Sequence, residues 1–403
     1  MSHGNDERID RRAALVRAAA LASGSLLGTN LGGAVESKVE PDVTESQVRD
    51  FLQTLLLTHE DVDLWLTRKE FPFCKYDPVL GYLHVDRDFA EGQDGAVCQY
   101  RYDRLDARRM FAYAGQPCRI NTYGDSFTSC EQVSDGETWQ EALAAHLGEP
   151  VRNYGIGGYS VYQAYLRMLR EEQRSPAKYI IFNIFDDDHA RNVHGWQRLK
   201  FGVNRKSPNP TVPHLQVDLE RGTITECGNP CPTPQSLYEL CDLERLYALF
   251  HDDFYLQNRL MKANRKSRGE SVPATDYDDE RLMQHGIFAS LKVVDRVQEF
   301  ARQQDKRVLF VLSYGAYTIR QHIQTGKRFD QALVDGLKER QIPYVDLMQA
   351  HADDAARFKG TPDEALARYF IGHYNPLGNH FCAFAMKDAL VAMLEPKPAA
   401  YAQ

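Results

Sequence analysis

The sequence contains an almost continuous apolar run, YIIFNIF, at residues 179–185. A run of this length and composition is typical of a strand that is buried on both faces, as strands of parallel sheets are. A second buried strand is predicted at 307–312, and shorter strands at 119–123, 151–154 and 343–347.

Residues with helical apolar spacing lie between these strands. Helices are predicted at 138–147, 161–172, 279–303, 329–341 and 378–394. Because strands alternate with helices, the sequence predicts a three-layer α/β domain with a parallel, doubly wound sheet of five strands. In such a sheet the carboxyl ends of the strands lie along one edge, and ligands bind there.

Two regions interrupt or precede this alternation. Residues 35–118 form an N-terminal extension that begins with one or two helices and continues as irregular structure, with a hairpin around 92–95. Residues 196–278 form an insertion with a hairpin, a helical stretch and a polar linker at 262–276. Because the insertion follows the end of a strand, it either lies over the site or only lengthens the domain.

The first 34 residues resemble a twin-arginine export signal. Arg11 and Arg12 precede a mild Ala/Leu/Gly/Ser run, and small residues at 32–34 suit a signal peptidase. Arg17 and three nearby acidic residues favour the alternative, a cytoplasmic terminus. The sequence therefore predicts a periplasmic or secreted protein. The predicted organisation is an export signal at 1–34, the extension at 35–118, the α/β domain at 119–394 and a tail at 395–403.

Composition excludes several classes of protein. The chain has 403 residues, of which 43% are hydrophobic and 26% charged, as is usual for a globular protein. A net charge of −8 without a basic block argues against nucleic acid as a partner. No apolar run approaches the roughly 20 residues of a membrane-spanning helix. Eight cysteines form no CxxC pair, so no zinc site is predicted, and Cys227 and Cys231 are interpreted as free thiols rather than a loop disulfide.

The strongest local motif is YGDSFT at 123–128, between the first strand of the alternation and a helix. A serine at a strand-to-helix turn has an accessible hydroxyl, and its own N–H can donate to a developing oxyanion. Gly124 allows the chain to turn tightly. The alternative is that Asp125 or Ser126 merely caps the next helix.

Three further blocks follow at the ends of later strands. A glycine-rich loop, NYGIGGY, occupies 153–159 and could bring a backbone N–H close to a ligand. The acidic run DDDH at 186–189 suggests a cation, but its spacing matches no EF-hand, and a solvated strand end is the favoured interpretation. His373, before the last helix, could accept the proton of Ser126.

These four blocks, in this order and register, resemble those of the SGNH/GDSL hydrolase superfamily over about 119–394 without the insertion. The Ser126 block followed by DGETW at 135–139, with Asp77-Pro78 and Gly81 upstream, resembles the extracytoplasmic branch that includes relatives of alginate O-acetyltransferases. The resemblance implies a flavodoxin-like α/β/α fold and no cofactor or metal.

The resemblance also implies roles for individual residues. Ser126 would be the nucleophile, His373 the general base, and the N–H groups of Ser126 and Gly158 would form the oxyanion hole. The family's third block supplies an asparagine as a further donor. Here that position falls on Asp186 or Asp187, and Asn183 lies nearby within the strand, so the third donor is left open among these three residues.

A second departure from the family pattern concerns the histidine. The family usually places an aspartate three residues before it, and this chain has Phe370 there. A backbone carbonyl or a carboxylate from elsewhere, such as one of Asp186–Asp188, could orient His373 instead, which would give a Ser–His dyad.

The sequence thus predicts a serine esterase or deacylase that acts on an acylated carbohydrate or another ester. One alternative is a carbohydrate O-acetyltransferase that uses the same acyl-enzyme. Another is a non-catalytic carbohydrate-binding relative, in which aromatic side chains would stack on sugars. The candidates for that stacking are Tyr159, Tyr162, Trp196 and Tyr374, although packing in the core is the favoured interpretation of these side chains.

Overall fold

Helices and strands alternate through most of the chain in the structure, a computed structural model that describes residues 43–203 and 208–402. The strands are β1 (Cys74–Asp77), β2 (Gly81–His84), β3 (Arg87–Ala90), β4 (Val97–Tyr100), β5 (Ile120–Tyr123), β6 (Arg152–Asn153), β7 (Tyr179–Phe185), β8 (His214–Asp218), β9 (Thr223–Cys227), β10 (Arg307–Ser313) and β11 (Tyr344–Asp346).

The helices follow the same chain order. They are α1 (Glu45–Gln53), α2 (His59–Leu66), α3 (Ser126–Ser129), α4 (Trp139–Leu147), α5 (Val161–Arg174), α6 (Asp188–Arg191), α7 (Gln197–Phe201), α8 (Leu243–Phe250), α9 (Phe254–Ser267), α10 (Glu280–Gln303), α11 (Ala316–Thr325), α12 (Gln331–Glu339), α13 (Leu347–Arg357), α14 (Pro362–Ala367) and α15 (Pro376–Met393).

The central sheet has five parallel strands in the order β11-β10-β7-β5-β6. Strand β7 lies in the middle, and all seven of its residues are buried. Helices α4, α13 and α15 pack on one face of the sheet, and α5, α10 and α12 on the other. The predicted three-layer α/β/α fold with a five-stranded parallel sheet is therefore confirmed.

The register of the sheet places the ends of β5 and β7 side by side. Tyr123 pairs with Phe182, so the turn that carries Ser126 follows β5 just beside the point where β7 continues into the acidic run. The two strongest sequence blocks therefore begin at the same carboxyl edge of the sheet.

The N-terminal extension packs against this same edge. Tyr82 on β2 accepts a hydrogen bond at its carbonyl oxygen from the Tyr159 hydroxyl at 2.6 Å, and Gln163 donates to the Leu80 carbonyl at 2.9 Å. The hairpin expected around 92–95 is present as β3 and β4. The extension and the α/β domain share one hydrophobic core.

The polar linker predicted at 262–276 is wrong in its first part. Helix α9 continues to Ser267, because Leu256 and Leu260 are buried along its length and the polar residues that follow lie on its outer face. The export signal predicted at 1–34 lies outside the described residues. Within 43–203 and 208–402, no helix has the length and apolar character needed to cross a bilayer.

Candidate active site

The turn after β5 places Ser126 at the carboxyl edge of the sheet. Gly124 has a φ of +155°, and a Cβ on it would lie 2.2 Å from the Thr128 hydroxyl. Asp125 caps α3 by accepting the Phe127 N–H at 3.0 Å. The chain therefore turns within two residues, and Ser126 becomes the first residue of α3.

The Ser126 hydroxyl donates to Asp125 Oδ2 at 3.1 Å. Asp125 is completely buried, and this burial raises the pKa of its carboxyl, while Arg191 and His373 act in the opposite direction. The Arg191 guanidinium lies 3.8 Å from the same carboxylate oxygen. Asp125 is thus shared between the serine hydroxyl and a buried positive charge.

Two backbone N–H groups, one in the serine turn and one in the glycine-rich loop, have no acceptor in the described part of the chain. Neither the Ser126 N–H nor the Gly158 N–H donates a hydrogen bond within the described part of the chain. Gly158 has a φ of +79°, and a Cβ on it would lie 2.7 Å from the Tyr82 hydroxyl oxygen. A side chain at Gly158 would therefore displace Tyr82, so the loop can keep this conformation only with glycine.

The glycine-rich loop lies directly against the serine turn. A Cβ on Gly155 would lie 2.2 Å from the Ser129 nitrogen, and one on Gly157 would lie 2.0 Å from a carboxylate oxygen of Glu131. The absence of side chains on this loop allows the second block to approach the turn closely. The first two predicted blocks are therefore brought together.

His373 lies in the loop before α15, on the side of the turn where Phe127 projects. The imidazole and the Phe127 ring have centroids 5.0 Å apart. The His373 side chain is 27% exposed, and its Nε2 lies 3.8 Å from a carboxylate oxygen of Glu131. The fourth block therefore reaches the same edge of the sheet as the first.

No direct hydrogen bond joins Ser126 to His373. The serine hydroxyl bonds to Asp125, and the imidazole bonds through Nδ1 to Gln132 Oε1 at 3.3 Å. The same Gln132 oxygen accepts the backbone N–H of His373 at 2.6 Å. The sequence analysis did not single out Gln132, which stands only six residues after Ser126.

The acidic run after β7 is not a solvated strand end, and that interpretation is wrong. Asp186 and Asp188 are each 1% exposed. Arg191 pairs with Asp188 and with Asp187 at 2.9 Å each, and Lys200 from the insertion contacts Asp187 at 2.6 Å. Buried carboxylates persist here because two cations offset their charge.

Asp186 accepts three hydrogen bonds and donates none. Its donors are the Gly315 N–H at 3.0 Å, the Thr318 hydroxyl at 2.7 Å and the Tyr277 hydroxyl at 3.0 Å. Burial raises the pKa of Asp186 to about 7. Asp186 thus connects the end of β7 to the loop after β10 and to the insertion.

The candidates for a third oxyanion donor differ in their surroundings. Asp186 and Asp187 act as acceptors in the contacts above. Asn183 lies inside β7, 3% exposed, next to Gly124, and its side-chain oxygen has no partner in the described part of the chain. The assignment of a third donor stays a prediction.

The insertion contacts the site rather than lying apart from it. Gln197 donates to the Gly158 carbonyl at 3.2 Å and to the Tyr82 hydroxyl at 3.2 Å. Lys200 and Tyr277 reach the acidic run. Of the two interpretations of the insertion, the structure supports the one in which it helps to form the surroundings of the site.

The aromatic residues proposed to stack on sugars are buried in the fold. Tyr159, Tyr162, Trp196 and Tyr374 have relative exposures of 0, 4, 1 and 2%. Their rings pack on other side chains, and the carbohydrate platform suggested for them is therefore wrong. Among the described residues, no group of His, Cys, Asp and Glu is arranged to hold a metal ion.

Comparisons with known proteins give matches among solved structures only. No family model matches the sequence, and no curated protein matches it. A member of the lipolytic protein G-D-S-L family from Veillonella parvula is 13% identical, covers 69% of this chain and 100% of its own, and has a TM-score of 0.36.

Two other matches are of the same kind. A GDSL-like lipase from Bacteroides thetaiotaomicron is 12% identical over 71% of this chain and 93% of its own, with a TM-score of 0.33. An acetylxylan esterase from Geobacillus stearothermophilus is 11% identical over 66% and 91%, with a TM-score of 0.34. At such identities and TM-scores, the activity has to be argued from the site itself.

Proposed function

We propose that this protein is a serine-dependent ester hydrolase of the SGNH type, with Ser126 as nucleophile and His373 as general base. The observation that carries the proposal is a pair of N–H groups without an acceptor in the described part of the chain, one from Ser126 itself and one from Gly158, in the loop that packs against the serine turn. Backbone donors without an internal acceptor at this place suit the charge that develops on an acyl carbonyl oxygen.

The reaction follows from these positions. The Ser126 Oγ attacks the ester carbonyl carbon while His373 takes the hydroxyl proton, and the carbonyl oxygen becomes an oxyanion bound by the two N–H groups. Collapse of this intermediate expels the alcohol, which receives the proton from His373. Water then attacks the acyl-serine with His373 again as base, which releases the acid and restores the hydroxyl.

Attack requires the serine hydroxyl to leave Asp125. We expect the hydroxyl to turn about its single side-chain torsion, while Asp125 keeps its separate bond to the Phe127 N–H. Catalytic hydrogen bonds are often unformed without substrate and tighten only in the complex. We therefore expect the Ser126–His373 bond to form when an ester occupies the site.

The test compares Ser126→Ala with Ser129→Ala on p-nitrophenyl acetate. Ser129 lies in the same short helix and is also buried, but its hydroxyl bonds neither to Asp125 nor to His373. Ser126→Ala is expected to lose hydrolysis by a factor of about 10⁴ or more, and Ser129→Ala to keep it. A fluorophosphonate should label the wild-type protein at Ser126.

Two results would contradict the proposal. One is hydrolysis that survives in Ser126→Ala, and the other is a wild-type protein that no fluorophosphonate labels. Adding an oligosaccharide as acceptor to the same assay distinguishes hydrolysis, which yields free acid, from acyl transfer, which yields an acylated sugar.

A further inference from the structure

Phe370 occupies the place of the acid that normally orients the base, and it cannot perform that task. Its ring is buried and packs against the rings of His351 and Tyr374, with centroids 5.4 and 4.6 Å apart. Another group must therefore hold the His373 imidazole, and Gln132 is the side chain that bonds to it.

The two hydrogen bonds between His373 and Gln132 determine the orientation of the Gln132 amide and the tautomer of the His373 ring. The His373 backbone N–H can only donate, so the Gln132 atom 2.6 Å from it is the amide oxygen and not the amide nitrogen. An amide oxygen only accepts, so Nδ1, which is bonded to the same oxygen, carries the ring proton. Nε2 of the neutral ring then has a lone pair and can accept a proton.

The backbone around Gln132 is arranged to present this oxygen. Gln132 has a φ of +70°, a conformation that costs free energy for a residue other than glycine. Its N–H donates to the Tyr100 hydroxyl at 2.7 Å, which holds the residue in place. Gly372 has a φ of +130°, and a Cβ on it would lie 2.7 Å from the Gln132 oxygen. The contact between Gln132 and His373 therefore depends on the backbone conformations of both Gln132 and Gly372.

We propose that Gln132 is the positioning residue of the base, replacing the usual acid with a neutral amide. This inference rests on the proposed function of Ser126 and His373. Gln132 holds the imidazole in the tautomer that accepts the serine proton, and it adds no negative charge behind the ring. The charged groups that act on the ring are then Glu131, 3.8 Å from Nε2, and Asp125.

The experiment uses the full chain with Gln132→Ala, Gln132→Glu and the control Gln99→Ala. Gln99 lies on β4 next to Tyr100, and its side chain is exposed. In Gln132→Ala we expect kcat on p-nitrophenyl acetate to fall about 10²-fold while KM changes by less than about twofold, because the ring is no longer oriented. Gln99→Ala should match the wild type.

Gln132→Glu distinguishes a positioning role from a structural one. A carboxylate behind the ring still accepts both bonds and also stabilises the imidazolium. We expect this variant to regain most of kcat at alkaline pH, with the acid limb of its pH–rate profile moved to higher pH. An unmoved profile would contradict the proposed orientation of the ring by Gln132.

A second readout does not depend on turnover. Nitrogen-15 chemical shifts of the histidine rings should show His373 as one neutral tautomer in the wild type and as a mixture in Gln132→Ala. Unchanged shifts together with unchanged kcat would overturn the inference while leaving Ser126 as nucleophile. If Ser126→Ala keeps the activity, the proposed function fails, and the nitrogen shifts still report whether Gln132 holds the ring.

Discussion

The Asp186 carboxyl is buried although it forms no ion pair in the described part of the chain. Three donors converge on its carboxyl, one from the loop after β10, one from α11 and one from the insertion. Burial nevertheless raises its pKa from 3.8 to about 7. The folded protein therefore retains a proton on Asp186 at pH values where the unfolded chain has released it.

This difference predicts a pH dependence of stability. Because the pKa of Asp186 is raised in the folded state, protonated Asp186 stabilises the fold. This contribution is complete below about pH 4 and is lost as the pH rises through about 7. The amount is on the order of 4 kcal/mol in the free energy of unfolding. Asp186→Asn keeps a side-chain oxygen for two of the donors and removes this dependence.

Urea denaturation of the wild type and Asp186→Asn between pH 4 and pH 8 provides the measurement. The difference between the two free energies of unfolding should change steadily across that interval. Asp278→Asn, an exposed residue next to Tyr277, is the control and should follow the wild type. Parallel curves for the wild type and Asp186→Asn would show that Asp186 does not titrate in this range.

At the same scale, the sequence indicated the residues proposed to react but not the residues that contact them. Ser126 and His373 belong to motifs whose residue types indicate their chemistry. Gln132 carries no such signal, because its role depends on a left-handed backbone and on a tyrosine from the extension. The burial of Asp186 could not be foreseen either, since its three donors come from distant parts of the chain.

Among the structural elements, the turn between α3 and α4 depends most on one buried side chain. The Arg108 guanidinium donates to the carbonyls of Ser129, Cys130 and Val133 and pairs with Asp135 at 2.8 Å. Arg108 is 2% exposed. The turn that bears Glu131 and Gln132 is thus held from inside by the extension.

Arg108→Ala is therefore expected to lower the free energy of unfolding by about 3–5 kcal/mol, because Asp135 stays buried without its partner. Arg109→Ala, at the neighbouring exposed position, is the matched control and should change it by less than about 1 kcal/mol. Urea unfolding followed by circular dichroism measures both. Equal effects of the two substitutions would show that the guanidinium does not hold the turn.

Sequence periodicity missed three helices, each for a different physical reason. Helix α11 buries only Thr318 and Ile319, so its apolar pattern is too weak to be recognised. Helix α14 has six residues, fewer than two turns. Helix α13 starts directly after β11, where Asp346 ends the strand and caps the helix. The long helices and the buried strands were predicted because one face of each enters the core.

On the scale of the whole molecule, the boundary predicted near residue 118 separates two segments of the sequence, the extension and the α/β domain. The two segments nevertheless share one hydrophobic core. Trp65, Phe71 and Tyr82 from the extension are buried in the same cluster as the residues of the central sheet. Composition changes at this boundary, yet composition does not reveal which surfaces pack together.

A chain that begins at Arg119 is therefore expected to lose its fixed tertiary structure, because removal of the extension exposes the face on which those aromatic rings pack. A chain that begins at Val43 is the matched control. Soluble yield and near-ultraviolet circular dichroism compare the two. If the shorter chain is soluble and gives the spectrum of a rigid fold, the extension is an independent unit.

The order in which these parts occur along the chain has a consequence for biosynthesis. Proteins leave the ribosome from the N terminus, so Tyr100, Gln132 and Ser126 emerge long before His373, which stands in the last tenth of the sequence. A nascent chain would expose a serine that has no base to activate it. We expect the protein to become able to cleave esters only after its translation is nearly finished.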